Sequence, residues 1–488
     1  MPHVLRSSRA GFAALAVALI TAASSARPDI PTDAELIASV DAIVSKALSN
    51  PGAVGLSIAI ARDGKVILAK GYGMAELEHQ IPATATTMFR IGSVTKQYTA
   101  AAIMRLAEQG KLSLDNELGT YFPDYPTQGH TVTVRHLLNH TSGIKSYTQI
   151  EEIMQKHIAY DMSVDELLSW VKDIPFDFAP GEQYAYNNTA YYMLGSIIEQ
   201  ASGTPYCQYL QDEFFTPMGL LHTRCDSNAD IIPGRAQGYG MRDGELVNDR
   251  LIGMDNPGAA GMLIASAADL VRWNMALMNG EVVSAESLKL MTTPTILPDG
   301  TNTNYGFGLM MNDLEGHRRI SHGGGIFGFN STLVHYPDDD LYVAVIANGG
   351  SSAGRLGEEI SRAALDIELN IADLTPSADE IARFTGHYVI QNIELAARIF
   401  EKDGFVYLQA TDQPAIRLLY QGRGEFRASF DPNVKVVFDA ESTEPKADRF
   451  ILFQGGAQLP GIRQADDAPP PPPAPDSPPA PGSPPAGD

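Results

Sequence analysis

Two β-rich segments far apart in the chain constrain the fold more than any other feature. The first, "VGLSIAIARDGKVILAKGYG", is a pair of apolar runs broken at Asp63-Gly64, and "STLVHYPDDDLYVAVIAN" repeats the pattern around Asp338 to Asp340. A turn of this kind between β-rich runs is a strong short-range hairpin signal. Much of the chain between them reads as helix. Residues 93–110 have helical spacing with Gly110 placed to end it, Ser163 with Glu166 caps one helix, and Thr204 starts another with Pro205 in its first position. Thr32 and Glu35 match a capping box ahead of Leu36, Val40, Ile43, Val44 and Ala47, and a further helix is expected from about 354 to 369. The economical arrangement is an α/β (α+β) fold: one antiparallel sheet built from both chain ends, flanked by helices, with an inserted helical subdomain.

From Pro376 the texture changes to short runs such as "GFVYLQA", "IRLLYQG" and "RFILFQ", which suggest a small β-barrel or sandwich ending near Gln464. The expected divisions are therefore a main domain over 27–373, a β-rich domain over 374–464 and a tail over 465–488. The tail is proline-rich with no aliphatic side chain larger than Ala, so it is expected to be extended and disordered. At the other end, Arg6 and Arg9 precede an uncharged stretch and then small residues to Ala26, the pattern of a signal peptide over 1–26. No later run reaches the roughly 20 apolar residues of a membrane span, so a periplasmic or secreted chain with no transmembrane segment is expected. A net charge of −23 argues against nucleic acid as a partner. The two cysteines, Cys207 and Cys225, leave one bridge open, but Cys207 shares an apolar face with Leu210 and Phe214 and is read as a buried free thiol.

The sharpest chemical signal is "FRIGSVTKQYTAAAIMRLAEQG", where Ser93 begins a helix and Lys96 lies one turn later on the same face. A serine hydroxyl needs a base, and a desolvated lysine can have its pKa lowered enough to serve. The same spacing recurs at Ser142 with Lys145 and Ser169 with Lys172, but only Ser93 follows a strand and opens a helix. His136 and His140 are four apart, yet no HExxH glutamate follows His136, and neither metal nor cofactor is expected.

Two further motifs follow in order. "YAYNNTAYYMLG" places Tyr186-Asn187-Asn188 before a helix, and "ISHGGGIFGFNST" places His322-Gly323-Gly324-Gly325 just ahead of a strand. With Ser-x-x-Lys, Tyr-x-Asn and His-x-Gly in this order, the sequence resembles the serine β-lactamase and penicillin-binding protein superfamily, nearest its class C-like branch, over roughly residues 34–370. The resemblance implies that 27–373 is a catalytic domain with Ser93 as acylated nucleophile and Lys96 as its base. Tyr186 would be the second proton-transfer group, its phenolate favoured by Lys96, and Asn188 would bind Lys96 and the substrate carbonyl. Backbone N–H groups of Ser93 and Gly325 would form the oxyanion hole, with Gly324 beside them in the substrate-binding strand. His322 stands where efficient class C β-lactamases have lysine, so the donor to a substrate carboxylate would be mostly neutral and strong β-lactamase activity is not expected. The implied function is an exported serine hydrolase of amides or esters: a D,D-peptidase, a D-aminopeptidase-like enzyme, an esterase or a weak β-lactamase. Its substrate would be a small molecule or peptide, peptidoglycan fragments included. The rival from another class is a catalytically idle penicillin-fold protein that senses cell-wall fragments.

Overall fold

The computed structural model describes residues 30–464 apart from 368–370, 392–394, 412, 430–433, 440–443 and 455–456. The expected signal peptide (1–26) and proline-rich tail (465–488) lie outside the described residues.

Helix α1 (Asp33–Leu48) opens on the expected capping box: Thr32 Oγ1 accepts from the Glu35 N–H while the Glu35 carboxylate accepts from the Thr32 N–H. Strands β1 (Ala53–Arg62) and β2 (Lys65–Glu76) form the first hairpin, turning at Asp63 and Gly64 with φ of 50° and 71°. Both turn residues are left-handed, which suits the Asp-Gly pair. A short strand β3 (Ile81–Pro82) follows. The helical middle includes α2 (Thr95–Glu108) and α3 (Asn188–Ser202). The chain then returns through β4 (Met310–Leu314), β5 (His317–Ile326), β6 (Phe329–Tyr336), β7 (Leu341–Gly349) and α4 (Ala353–Ala364).

These strands make one seven-stranded antiparallel sheet in the order β3-β2-β1-β7-β6-β5-β4, so both chain ends meet at the β1–β7 pair. Leu56, Ile58 and Ile60 of β1 pack with Leu36, Val40 and Val44 of α1 and Leu356 and Ile360 of α4. On the opposite face Ala59, Ala344 and Ile346 join the core of the helical middle, which includes Tyr98 stacked on Trp273 at 3.9 Å. Covering both faces explains why β1 reads as an almost unbroken apolar run.

Eight further strands, from Gly386–Ile390 to Ala457–Arg463, close into a barrel because Tyr388–Ile390 pairs with Gly461–Arg463. Closure decides between barrel and sandwich. Tyr388, Phe426, Phe438 and Phe450 fill the interior, and the short helix α5 (Ala378–Phe384) adds Phe384, stacked on Phe438 at 4.6 Å. One carboxylate ties the barrel to the sheet. Glu315, in the β4–β5 turn, accepts from Arg362 of α4 at 3.2 Å and from Arg427 of the barrel at 3.3 Å, with Lys435 at 4.0 Å.

Several expectations are corrected. The helix expected to 369 stops at Ala364, ahead of Asp366 at φ 53°. Pro205 is the N-cap of Tyr206–Leu210 rather than its first residue. The stretch His322-Gly323-Gly324-Gly325 lies inside β5, not ahead of a strand, because its backbone pairs with β6. Cys207 is no free thiol: it is bonded to Cys225, joining the helix Tyr206–Leu210 to the strand Thr223–Cys225. Its apolar neighbours bury a bridge as readily as a thiol. Among the described residues no helix is long and apolar enough to cross a membrane.

Candidate active site

Ser93 sits in a single 3-10 turn, Gly92–Val94, that leads into α2. Gly92 has φ +50°, and a side chain there would begin 2.9 Å from the Gly325 backbone nitrogen. A Cβ on Gly324 would lie 1.9 Å from the Ile91 carbonyl oxygen. These two glycines therefore let β5 lie directly against the nucleophile turn. Among the described residues only β6 pairs with the 322–326 half of β5, since β4 covers just 317–321.

One turn into the helix, Lys96 is fully buried. Its Nζ lies 3.0 Å from Ser93 Oγ, 2.8 Å from Asn188 Oδ1 and 2.8 Å from the Ala260 carbonyl oxygen. Burial pushes its pKa well below the usual lysine value. A neutral amine has two N–H groups and one lone pair. The two carbonyl oxygens can take only N–H groups, which leaves the lone pair for the Ser93 hydroxyl.

Asn188 is the first residue of α3, capped by Asn187, whose side chain accepts from the Ala190 N–H. Its Nδ2 donates to Thr148 Oγ1 at 3.3 Å and its N–H to Ser146 Oγ at 3.2 Å, which fixes Oδ1 toward Lys96. Tyr186, 37% exposed, lines the cleft, with Lys96 Nζ 4.8 Å from its ring centre. Burial of its surroundings raises its pKa above the ordinary phenol value, outweighing the lowering hydrogen bond with Ser93. Burial therefore works against the phenolate expected at Tyr186.

His322 is buried, and both its nitrogens are engaged. Nδ1 lies 2.6 Å from the Gly323 carbonyl oxygen, so it carries the proton, and Nε2 lies 3.0 Å from the Tyr305 hydroxyl, from which it accepts. Burial, and then Lys96, push its pKa down to about 3. Burial favours the neutral ring, and its Nε2 is a partner for Tyr305 rather than a free donor to substrate.

Three contributors were not read from sequence. Ala260 acts through its backbone, which no side-chain pattern reports. Tyr305 comes from "NYGFGL", outside the three motifs. His140, set aside as a metal candidate, is fully buried at φ +61°, accepts from the Asn187 N–H through Nδ1, and lies 4.3 Å from the Tyr186 ring centre. His136 instead closes a helix cap with Thr133. The other two Ser-x-x-Lys pairs stand apart: Lys145 pairs with Asp177, and Ser169 donates to the Glu166 carbonyl.

Comparisons with known proteins bear on the family and the fold. A family model described as Beta-lactamase matches residues 40–366. Penicillin-binding protein 4* of Bacillus subtilis strain 168 is 27% identical over 439 residues, covering 83% of this chain and 94% of its own. A D-aminopeptidase of Gluconobacter oxydans strain 621H is 26% identical over 427 residues, covering 86% of this chain and 77% of its own. Among solved structures, the octameric penicillin-binding protein homologue from Pyrococcus abyssi shares the fold, with a TM-score of 0.62 at 24% identity over 88% of this chain and 96% of its own. The chain belongs to the beta-lactamase family and is a serine hydrolase of that fold.

Proposed function

We propose that this protein is an exported hydrolase that cleaves an amide or ester of an amino acid or peptide through an acyl-enzyme on Ser93. The observation that carries the reading is the placement of Lys96 Nζ 3.0 Å from Ser93 Oγ while it donates to the Asn188 and Ala260 carbonyl oxygens; as the free amine it has two N–H groups for those oxygens and a lone pair for the Ser93 hydroxyl. Oγ attacks the carbonyl carbon as its proton passes to Lys96 Nζ, and the carbonyl oxygen becomes an oxyanion between the N–H groups of Ser93 and Gly325. The bond to the leaving group breaks as that group takes the proton from Lys96, directly or through the neutral Tyr186 hydroxyl. Water then attacks the acyl carbon, Lys96 accepts the water proton, and the Ser93 oxygen is released and reprotonated.

The relatives support the substrate class: one is called a penicillin-binding protein, the other a D-aminopeptidase. Export is supported by the Cys207–Cys225 bridge, since disulfides persist in oxidising compartments. The neutral, occupied His322 ring supports weak rather than strong β-lactamase activity. Intact-mass measurement after incubation with a fluorophosphonate and with a penicillin tests the reading. Fluorophosphonate labelling of the wild type and none of Ser93→Ala is expected, and an unlabelled wild type would overturn it.

A further inference from the structure

Ser93 stands between two cavities of opposite character. One, of about 120 Å³ beside Asn188, is lined by Met154, Ile158, Ile252 and Phe327 among others and contains no charged residue. The other, of about 820 Å³, runs from Ser93 and His322 past Gly323 to the α4 side of the sheet, where the barrel residues Lys435 and Phe453 wall it. Side chains alternate along β5, so Arg319 and Ser321 face the α4 side while Ile320, His322 and Gly324 face the helical middle and the Ser93 turn; the cavity is lined from both faces and passes the 322–326 edge that β4 leaves uncovered.

The larger cavity is electrostatically unusual for this chain. Four of its lining residues are cationic and three acidic, a positive balance in a protein of net charge −23. Two of the acidic groups are already committed, Glu315 and Glu358 both accepting from Arg362. Arg319 differs from the other cations there. Its Nε donates to Asn312 Oδ1 at 2.7 Å and it lies beside the Tyr336 hydroxyl, but among the described residues no carboxylate pairs with it. Arg362, only 6% exposed, also lines the cavity, and its Nη1 has no hydrogen-bond partner among the described residues. Meanwhile His322, nearer the nucleophile, has no free nitrogen to offer an anion.

We propose that this cavity is an extended subsite for the anionic end of a peptide substrate, with Arg319 as the docking guanidinium and the barrel as its far wall. The inference rests on Ser93 being the nucleophile. Arg319 and Gly325 are six residues apart on β5, roughly 20 Å at the rise of a strand, and the arginine side chain spans part of that distance. The anion therefore sits about three to five extended residues from the scissile bond. An amino-acid amide is too short to reach it, whereas a peptide carrying a free carboxylate spans both ends, with an uncharged apolar group beside Met154 and Phe327.

Three fluorophosphonates test this on the full chain: one without a tail, one with a tetraglycine tail ending in carboxylate, and one with the same tail ending in carboxamide. The rate of Ser93 labelling is read for the wild type and for Arg319→Gln. The carboxylate probe is expected to label the wild type about tenfold faster than the carboxamide probe at low salt, the scale of one charge-assisted hydrogen bond. In Arg319→Gln that ratio should fall to about one. Equal rates for the two tailed probes in the wild type, or a ratio that survives in Arg319→Gln, would overturn the subsite while leaving Ser93 as nucleophile. No labelling by the untailed probe would overturn the nucleophile and the subsite with it.

Discussion

Lys96, His140 and His322 are three buried bases in one site, and burial lowers the pKa of each. Desolvation thus favours the neutral form of each, the form in which Lys96 can take the Ser93 proton in the proposed mechanism. Replacing Lys96 by Gln should lower kcat/KM by about 10² to 10⁴-fold, the usual worth of a positioned proton acceptor. The proposed mechanism uses Lys96 as the free amine, so kcat/KM should rise with pH through its lowered pKa. That limb should persist in His322→Asn, since a group with a pKa of about 3 is already neutral at ordinary pH. Stability carries the His322 signature instead. Its folded pKa lies below its ordinary value of 6.5, so the unfolded chain binds the proton more tightly. Stability from this group is full above pH 6.5 and falls as pH drops toward about 3. Melting curves over that window should be less steep in His322→Asn than in the wild type, and an identical slope would exclude the effect. Sequence alone named Ser93, Lys96, Tyr186, Asn188 and His322, because each sits in a short motif with a chemical reason for its spacing. It could not reveal that His322 is turned to Tyr305, since that contact depends on how β5 meets a loop 17 residues earlier in the chain.

The element that fixes the site is β5, held against the nucleophile turn by glycines. Gly324→Ala would set a methyl group against a backbone carbonyl that cannot swing aside. Strand and turn would have to separate, and a displacement near 1 Å at a catalytic group costs about 100-fold in kcat. A mutant with unchanged circular dichroism but full activity would show that this contact does not set the geometry. The disulfide acts elsewhere, closing a loop of separation 18. Cys207→Ser should cost about 3 kcal/mol in denaturant unfolding, by the entropy of loop closure. Both hairpins were legible because apolar runs flank short acidic turns, and the caps at Thr32 and Ser163 because a cap is a local pattern. β5 was not, since three consecutive glycines carry no strand signal and only pairing with β6 makes them one. The bridge was not either, since spacing does not say which faces meet.

At the scale of the whole molecule, the union of the chain ends in one sheet and the β-rich C-terminal part followed from the order of elements. Closure of the barrel did not, because it depends on pairing between its first and last strands. Nor did the tie to the sheet, where Glu315 holds cations from α4 and the barrel together. Glu315→Gln should lower stability by roughly 1–2 kcal/mol, the value for such bonds discounted for partial exposure. Calorimetry should show the barrel melting earlier than in the wild type; an unchanged trace would mean that Arg362 and Arg427 are held without Glu315, Glu358 and Glu425 being among their other partners. Glu315 also immediately precedes the Gly316 turn into β5, whose far end is stopped by the Ile91 carbonyl against Gly324. A strand held at both ends cannot slide. A slip of one residue against β6 would carry every side chain of β5 to the opposite face, taking His322 away from Tyr305 and Arg319 out of its cavity. The barrel thus serves as an end stop, setting the register of the strand that runs past the nucleophile.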